Sequence, residues 1–209
     1  CTSSAASDVY KRQIFMSSTD LQLSRGEPVS DTAKVASSML DVIALRVDKH
    51  ETLEMFASNS SVPVINALSD LSHPCQILAD LMTFKENSAN ELEKVCWIGD
   101  GNNVCNSYVE ASKILDFELS IYCPKEYSPD PSFLNYAKQN SSFANSREEA
   151  AKGADIITTD VWVSMGDEKT KERAFEGYFV DTDLIENTGK KSIFLHCLPA
   201  HRGQEITFE

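Results

Sequence analysis

Basic residues are scarce in this chain. Nineteen Lys and Arg stand against 32 Asp and Glu in 209 residues, a formal net charge of −13. Nucleic-acid binders need clustered cations to meet phosphates, so this balance excludes that class of partner. It leaves room for a small anionic ligand, because a local cationic pocket can sit inside an acidic surface. Long apolar runs are missing as well. No stretch approaches the roughly 20 residues needed to span a bilayer, and the N-terminus lacks the apolar core of a signal peptide. No membrane partner is expected. Closely paired cysteines are also absent. Six Cys stand at 1, 75, 96, 105, 123 and 197, with no CxxC spacing, in apolar segments or at strand ends. This pattern fits free thiols in a reducing compartment better than a disulfide frame. Metal-ligand spacing occurs only around His196, Cys197 and His201, where packing and capping are the plainer reading, and no metal is expected.

The apolar fraction of 42% and charged fraction of 24% are those of an ordinary globular protein, long enough for one large or two small domains. The pattern along the chain is alternation. Ser30 can cap a helix carrying Ala36, Met39, Leu40 and Ile43 on one face. Short strands follow at Val42–Val47 and Val62–Ile65, with a helix at His50–Asn59 between them. Pro74 opens a helix to about Glu86. The polar stretch 87–90 reads as a hinge. Strands are then expected at Val95–Gly99, Leu119–Cys123, Ala154–Thr159 and Ile193–Leu195. Between them, helices carry Val104, Tyr108, Ala111 and Leu115, then Pro131–Gln139, and one starts at the capping box Ser146-Arg147-Glu148-Glu149. Alternating strands and helices imply an α/β fold with doubly wound parallel sheets.

Reactive groups concentrate where strands give way to loops. His196-Cys197-Leu198-Pro199-Ala200-His201-Arg202-Gly203 leaves the last strand, at the edge where α/β proteins bind ligands. His73-Pro74-Cys75-Gln76 opens a helix, whose N-terminus favours anions and polarised carbonyl oxygens; a histidine N-cap is the simpler alternative. Gly99-Asp100-Gly101-Asn102-Asn103 sits where a dinucleotide fingerprint would, but Val104 occupies the third glycine position, so the fingerprint fails. No cofactor is expected. Asp160 ends a strand and can take an ammonium group, and Arg46 ends an apolar run as either a surface residue or an anion ligand.

Taken together and in this order, these segments resemble the aspartate/ornithine carbamoyltransferase family. The likeness runs from about Ile14 to Glu209. It rests on Asp31-Thr32-Ala33-Lys34-Val35, the run from Leu71 to Asp80, Gly99 to Asn103, Ser164-Met165-Gly166 and His196 to Pro199. It implies two doubly wound parallel-sheet domains, both truncated here: a partial carbamoyl-phosphate-binding domain over 14–87 and an ornithine-binding domain over 88–209. Residues 1–13 are expected to be a non-native leader.

The resemblance implies transfer of the carbamoyl group of carbamoyl phosphate to the δ-amino group of L-ornithine, giving citrulline and phosphate. The same likeness implies that Arg46, His73 and Gln76 hold the carbamoyl group, with Gln22, Pro74, Cys75, Cys197 and Leu198 beside it. Asn103, Asp160, Ser164 and Met165 match positions that hold the amino-acid part of ornithine. Cys197 and Asp160 would bind and deprotonate the attacking amine, whose unperturbed pKa is roughly 10.4. A cis Leu198–Pro199 bond, a homotrimer and a cytoplasmic or mitochondrial-matrix location are further implications. The family's Ser-Thr-Arg-Thr-Arg phosphate cradle and C-terminal helix are missing, so the 209 residues alone are expected to be inactive. Two other readings stay open: a carbamoyltransferase with another amine acceptor, and an inactive paralogue serving as an interaction subunit. Arg46, His73, Asp160 and Cys197 together speak against the second.

Overall fold

The computed structural model describes residues 13–17, 21–163 and 169–207. The chain divides into two compact units, one formed by Cys1–Ala44 and Glu51–Ile65, the other by Leu45–His50 and Asn66–Glu209. Helix α1 (Val29–Ser37) and most of α2 (His50–Asn59) belong to the first. Strands β1 (Ile43–Arg46) and β2 (Val64–Leu68) pair with each other, and the division between the units runs through both.

The expected first helix is shorter than its apolar spacing implied. Its N-cap is Pro28, with φ −59°, and Ser30 turns its hydroxyl to Asp31 instead. The helix stops at Ser37, where hydroxyls begin to compete for backbone carbonyls: Ser37 Oγ bonds Ala33 O at 2.6 Å and Ser38 Oγ bonds Val35 O at 2.7 Å. Met39 is left outside the helix and exposed, and Ile43 becomes the first residue of β1.

The second unit is a five-stranded, wholly parallel sheet in the order β5-β4-β3-β6-β7. Its strands are β3 (Lys94–Ile98), β4 (Glu118–Tyr122), β5 (Ser141–Phe143), β6 (Ile156–Thr159) and β7 (Ile193–His196). Period-two alternation explains how both faces are covered. Val95, Trp97, Leu119, Ile121 and Ile156 point to one face, where α3 (Pro74–Asn87) and α4 (Asn103–Leu115) supply Ile77, Phe84, Val104, Tyr108 and Val109. Cys96, Ile98 and Ile157 point to the other, against Ala150 and Ala151 of α6 (Arg147–Ala151) and Leu184 of α7 (Thr182–Glu186). Helix α5 (Pro131–Tyr136) ends three residues earlier than expected, and β5, α7 and a 3-10 helix at Lys169–Phe175 were not foreseen. These are short elements whose side chains show no clear period.

The chain enters this sheet at its centre. From β3 it winds outward through β4 and β5, then crosses back to β6 and β7. The carboxyl ends of β3 and β6 therefore flank a topological switch point, the crevice where open α/β sheets bind ligands. No helix among the described residues is long and apolar enough to cross a membrane.

Candidate active site

The turn after β3 is built to bring α4 close. A side chain at Gly101 would collide with the backbone of Tyr127, Ser128 and Pro129, so only glycine fits. Asn102 then caps α4: its Oδ1 accepts from Val104 N at 3.0 Å and Cys105 N at 3.2 Å. The other end of the same amide crosses the crevice, where Nδ2 donates to Asp160 Oδ2 at 2.7 Å.

Asp160 follows β6 and is buried. Its Oδ1 accepts from Val161 N and from the thiol of Cys197, both at 2.8 Å. Three elements of the sheet thus meet on one carboxylate. Burial, and then the negative charge of Asp160, push the Cys197 thiol far above the ordinary thiol range. Cys197 is therefore held as a protonated donor.

His73 is the N-cap residue of α3, but its side chain makes no capping bond. Its backbone N–H donates to Ser107 Oγ at 2.7 Å, which fixes it to α4. The ring Nδ1 is buried without a protein partner. Burial lowers the ring's pKa, the Arg46 cation lowers it further, and the Asp160 anion opposes both. Arg46, at the end of β1, and Asp160 therefore both act electrostatically on this imidazole.

Pro74 follows as the first residue of α3, and the thiol of Cys75 donates to Asn66 O at 3.3 Å. Gln76 lies one turn before Asp80, and its Nε2 donates to Asp80 Oδ1 at 2.9 Å. Tyr108 donates its hydroxyl to Asp80 Oδ2 at 2.7 Å from a fully buried position on α4. Burial raises the pKa of Asp80, with the two donors pulling it back. Asn103 commits its Nδ2 to Ser69 O at 2.7 Å.

Gln22 lies exposed in a 3-10 helix, Gln22–Arg25, of the first unit. Leu198 is 70% exposed, takes φ +57°, and precedes a cis bond to Pro199. Ser164 and Met165 lie outside the described residues, as do residues 1–12.

Three contributors escaped the sequence reading, whereas Asn102 stands beside Asn103 in the same polar motif. Asp80 stands four residues from Gln76, a spacing that places both on one helix face and was readable. Tyr108 and Glu205 carry no local signal. One possible ligand atom from each of Asp160, His196 and Cys197 falls within 4.8 Å of the others, close enough for a shared metal ion. Each donor already has a protein partner: Cys197 bonds Asp160, and the two nitrogens of His196 meet Glu205 and Leu198 N.

Known proteins match this chain. Residues 1–86 match the carbamoyl-P binding domain of aspartate/ornithine carbamoyltransferase, and residues 92–209 match its Asp/Orn binding domain. The chain belongs to the aspartate/ornithine carbamoyltransferase family. It is 48% identical to the ornithine carbamoyltransferase of Halorhodospira halophila, over 92% of this chain and 66% of that one. It is also 48% identical to the Campylobacter jejuni protein of that name, over 98% and 71%. Among solved structures, the anabolic ornithine carbamoyltransferase of Campylobacter jejuni superposes with a TM-score of 0.87 at 45% identity, covering 93% of this chain and 68% of that one. The chain thus spans about two thirds of the length of these carbamoyltransferases. The two family domains meet near the polar stretch 87–90, whereas the compact units divide earlier, through β1 and β2.

Proposed function

We propose that the protein carrying this chain transfers the carbamoyl group of carbamoyl phosphate to the δ-amino group of L-ornithine, giving citrulline and phosphate. The observation that carries the reading is the meeting of a donor set and an acceptor set within one unit. His73 and the Arg46 cation supply donors for a carbamoyl oxygen, and Gln76, whose Nε2 donates to Asp80, offers its amide oxygen to the carbamoyl nitrogen. Asp160, held by Asn102 and Cys197, supplies an anion for an amine.

In this mechanism the δ-amine binds as an ammonium beside Asp160 and loses a proton to it. The free amine attacks the carbamoyl carbon. Negative charge develops on the carbonyl oxygen, where His73 and Arg46 stabilise it as preorganised donors. Because its pKa is lowered, His73 is neutral near pH 7 and acts through an N–H rather than as a second cation. Gln76, its amide oriented by Asp80, binds the carbamoyl nitrogen side. As the tetrahedral intermediate collapses, the second proton of the attacking nitrogen passes to the departing phosphate and the C–O bond breaks; Pro74, Cys75 and Leu198 shape the wall of the site. Asn103, Ser164 and Met165 complete the contacts to ornithine. A homotrimer in the cytoplasm is part of the same reading.

The experiment is citrulline formation by the complete purified protein, with ornithine, aspartate, putrescine and acetylornithine offered in turn. Ornithine is expected to be the preferred acceptor. Faster carbamoylation of another amine, or none of any, would overturn the proposal.

A further inference from the structure

Glu205 is the most deeply buried acidic residue of the second unit, with no exposed surface, yet it lies outside the substrate contacts proposed above. Its backbone is pinned to the segment around Val180: Val180 N donates to Glu205 O at 2.9 Å, and Ile206 bridges to Val180. Its side chain faces His196, with Oε1 at 3.1 Å from His196 Nε2, and the backbone N–H of His201 donates to the same oxygen. Oε2 has no partner. Hydrogen bonds from His196 and the backbone outweigh burial and keep the carboxyl below its usual pKa.

The other face of the imidazole fixes its protonation. Leu198 N–H lies 2.9 Å from His196 Nδ1. An amide N–H can only donate, so Nδ1 must be the bare nitrogen, and in the neutral ring the proton sits on Nε2. Nε2–H then needs an acceptor, and Glu205 is the acceptor in place. The bond at Nδ1 in turn holds Leu198 in the left-handed region, at φ +57°, a conformation that a leucine does not favour unaided. Cys197 lies between the two anchored residues, and its thiol reaches Asp160 at 2.8 Å.

We propose that Glu205 is a positioning residue: by holding His196 in its Nε2–H tautomer, it locks the Leu198 turn and so aims the Cys197 thiol at Asp160. The kinetic side of this inference rests on the carbamoyl-transfer reading; the tautomer does not.

The test uses the complete protein labelled with 15N-histidine, together with Glu205→Gln and Glu205→Leu. In the parent protein, the His196 ring is expected to show protonated Nε2 and bare Nδ1. Glu205→Gln keeps an oxygen facing Nε2 and puts its NH2 where Oε2 has no partner, so tautomer and kinetics should stay near those of the parent. Glu205→Leu removes the acceptor. It should abolish the tautomer preference and lower kcat/KM for ornithine by about 10–100-fold, the usual cost of losing a group that orients a reactive shell. A parent ring protonated at Nδ1 overturns the proposal even if Glu205→Leu fails to fold. So does a Gln variant that loses as much as the Leu variant, or a folded Leu variant with unchanged kinetics. If the parent makes no citrulline, the functional reading fails, and the spectrum still judges the hydrogen-bond relay.

Discussion

Replacing Tyr108 by Phe removes the buried hydrogen bond that its hydroxyl gives to Asp80. The ring stays, still packed against Trp97 with centroids 5.9 Å apart, and only the hydroxyl is lost. That hydroxyl donates to Asp80 Oδ2 at 2.7 Å, where both residues are shielded from water. A hydrogen bond to a charged group contributes about 1.5–3 kcal/mol, and its loss here leaves one carboxylate oxygen buried without a donor. We expect Tyr108→Phe to cost about 2 kcal/mol, which at this chain length is about 4–8 °C in Tm.

The penalty should also depend on pH. Burial raises the pKa of Asp80 above its unfolded value of 3.8. A group shifted in that direction contributes stability below its unfolded pKa and loses it as the pH rises through the folded one. The Tyr108 donor offsets part of that loss, so removing it should hurt more at pH 7 than at pH 4. The assay is urea unfolding of the complete protein, read as a shift in midpoint at constant m. In an Asp80→Leu background the hydroxyl has no carboxylate to serve, and the effect of Tyr108→Phe should shrink to within about 0.5 kcal/mol. A cost below about 0.5 kcal/mol in the parent, or an equal cost in both backgrounds, would refute the reasoning.

Other expectations follow from single contacts. Asn102→Asp preserves an oxygen to cap α4 but sets a second carboxylate against Asp160, so ornithine KM should rise while Tm changes little; Asn102→Ala should also cost about 1 kcal/mol of stability through the lost cap, measured by urea unfolding. Gly101→Ala drives a methyl into the backbone at Tyr127–Pro129 and should give mostly insoluble protein on expression. Cys197 should alkylate slowly with iodoacetamide near neutral pH, and mass spectrometry should show the rate climbing only in strong base. Asp181 and Glu205 both hold their carboxyls below the unfolded values of 3.8 and 4.5. Their contribution is present above those values and lost as pH falls through the lowered ones, so thermal stability should drop steeply below about pH 4.5.

Much of the second unit could be read from pattern alone. Pro74 marks the first turn of α3, Ser146 caps α6 by accepting from Glu149 N, and the apolar runs at Val95 and Ala154 became central strands. Each of these signals is local: a cap, a fixed φ or a short period. The capping box was only half right, because Glu149 reaches back to Asn145 rather than to Ser146. The site was legible where its residues cluster in sequence, as with His73 to Gln76 and Cys197. Asp160 was legible as a strand end, but its bond to Asn102 spans 58 positions. Glu205 and Tyr108 were out of reach for the same reason. Their roles arise from sheet order, and nothing in a window of residues shows that β3 lies beside β6 or that Val180 pins Ile206.

The two-ended amide of Asn102 has an evolutionary consequence. One end starts a buried helix and the other fixes the anion proposed to meet the acceptor amine. A lineage drifting toward a different acceptor must rework the environment of Asp160, and the nearest lever is also a structural keystone. Single-step paths through Asn102 trade foldedness for novelty. A shift of acceptor should instead begin on the far side of the carboxylate, through Cys197 and the segment after β7, where change leaves the start of α4 intact. Laboratory selection for new amine acceptors can be directed there first.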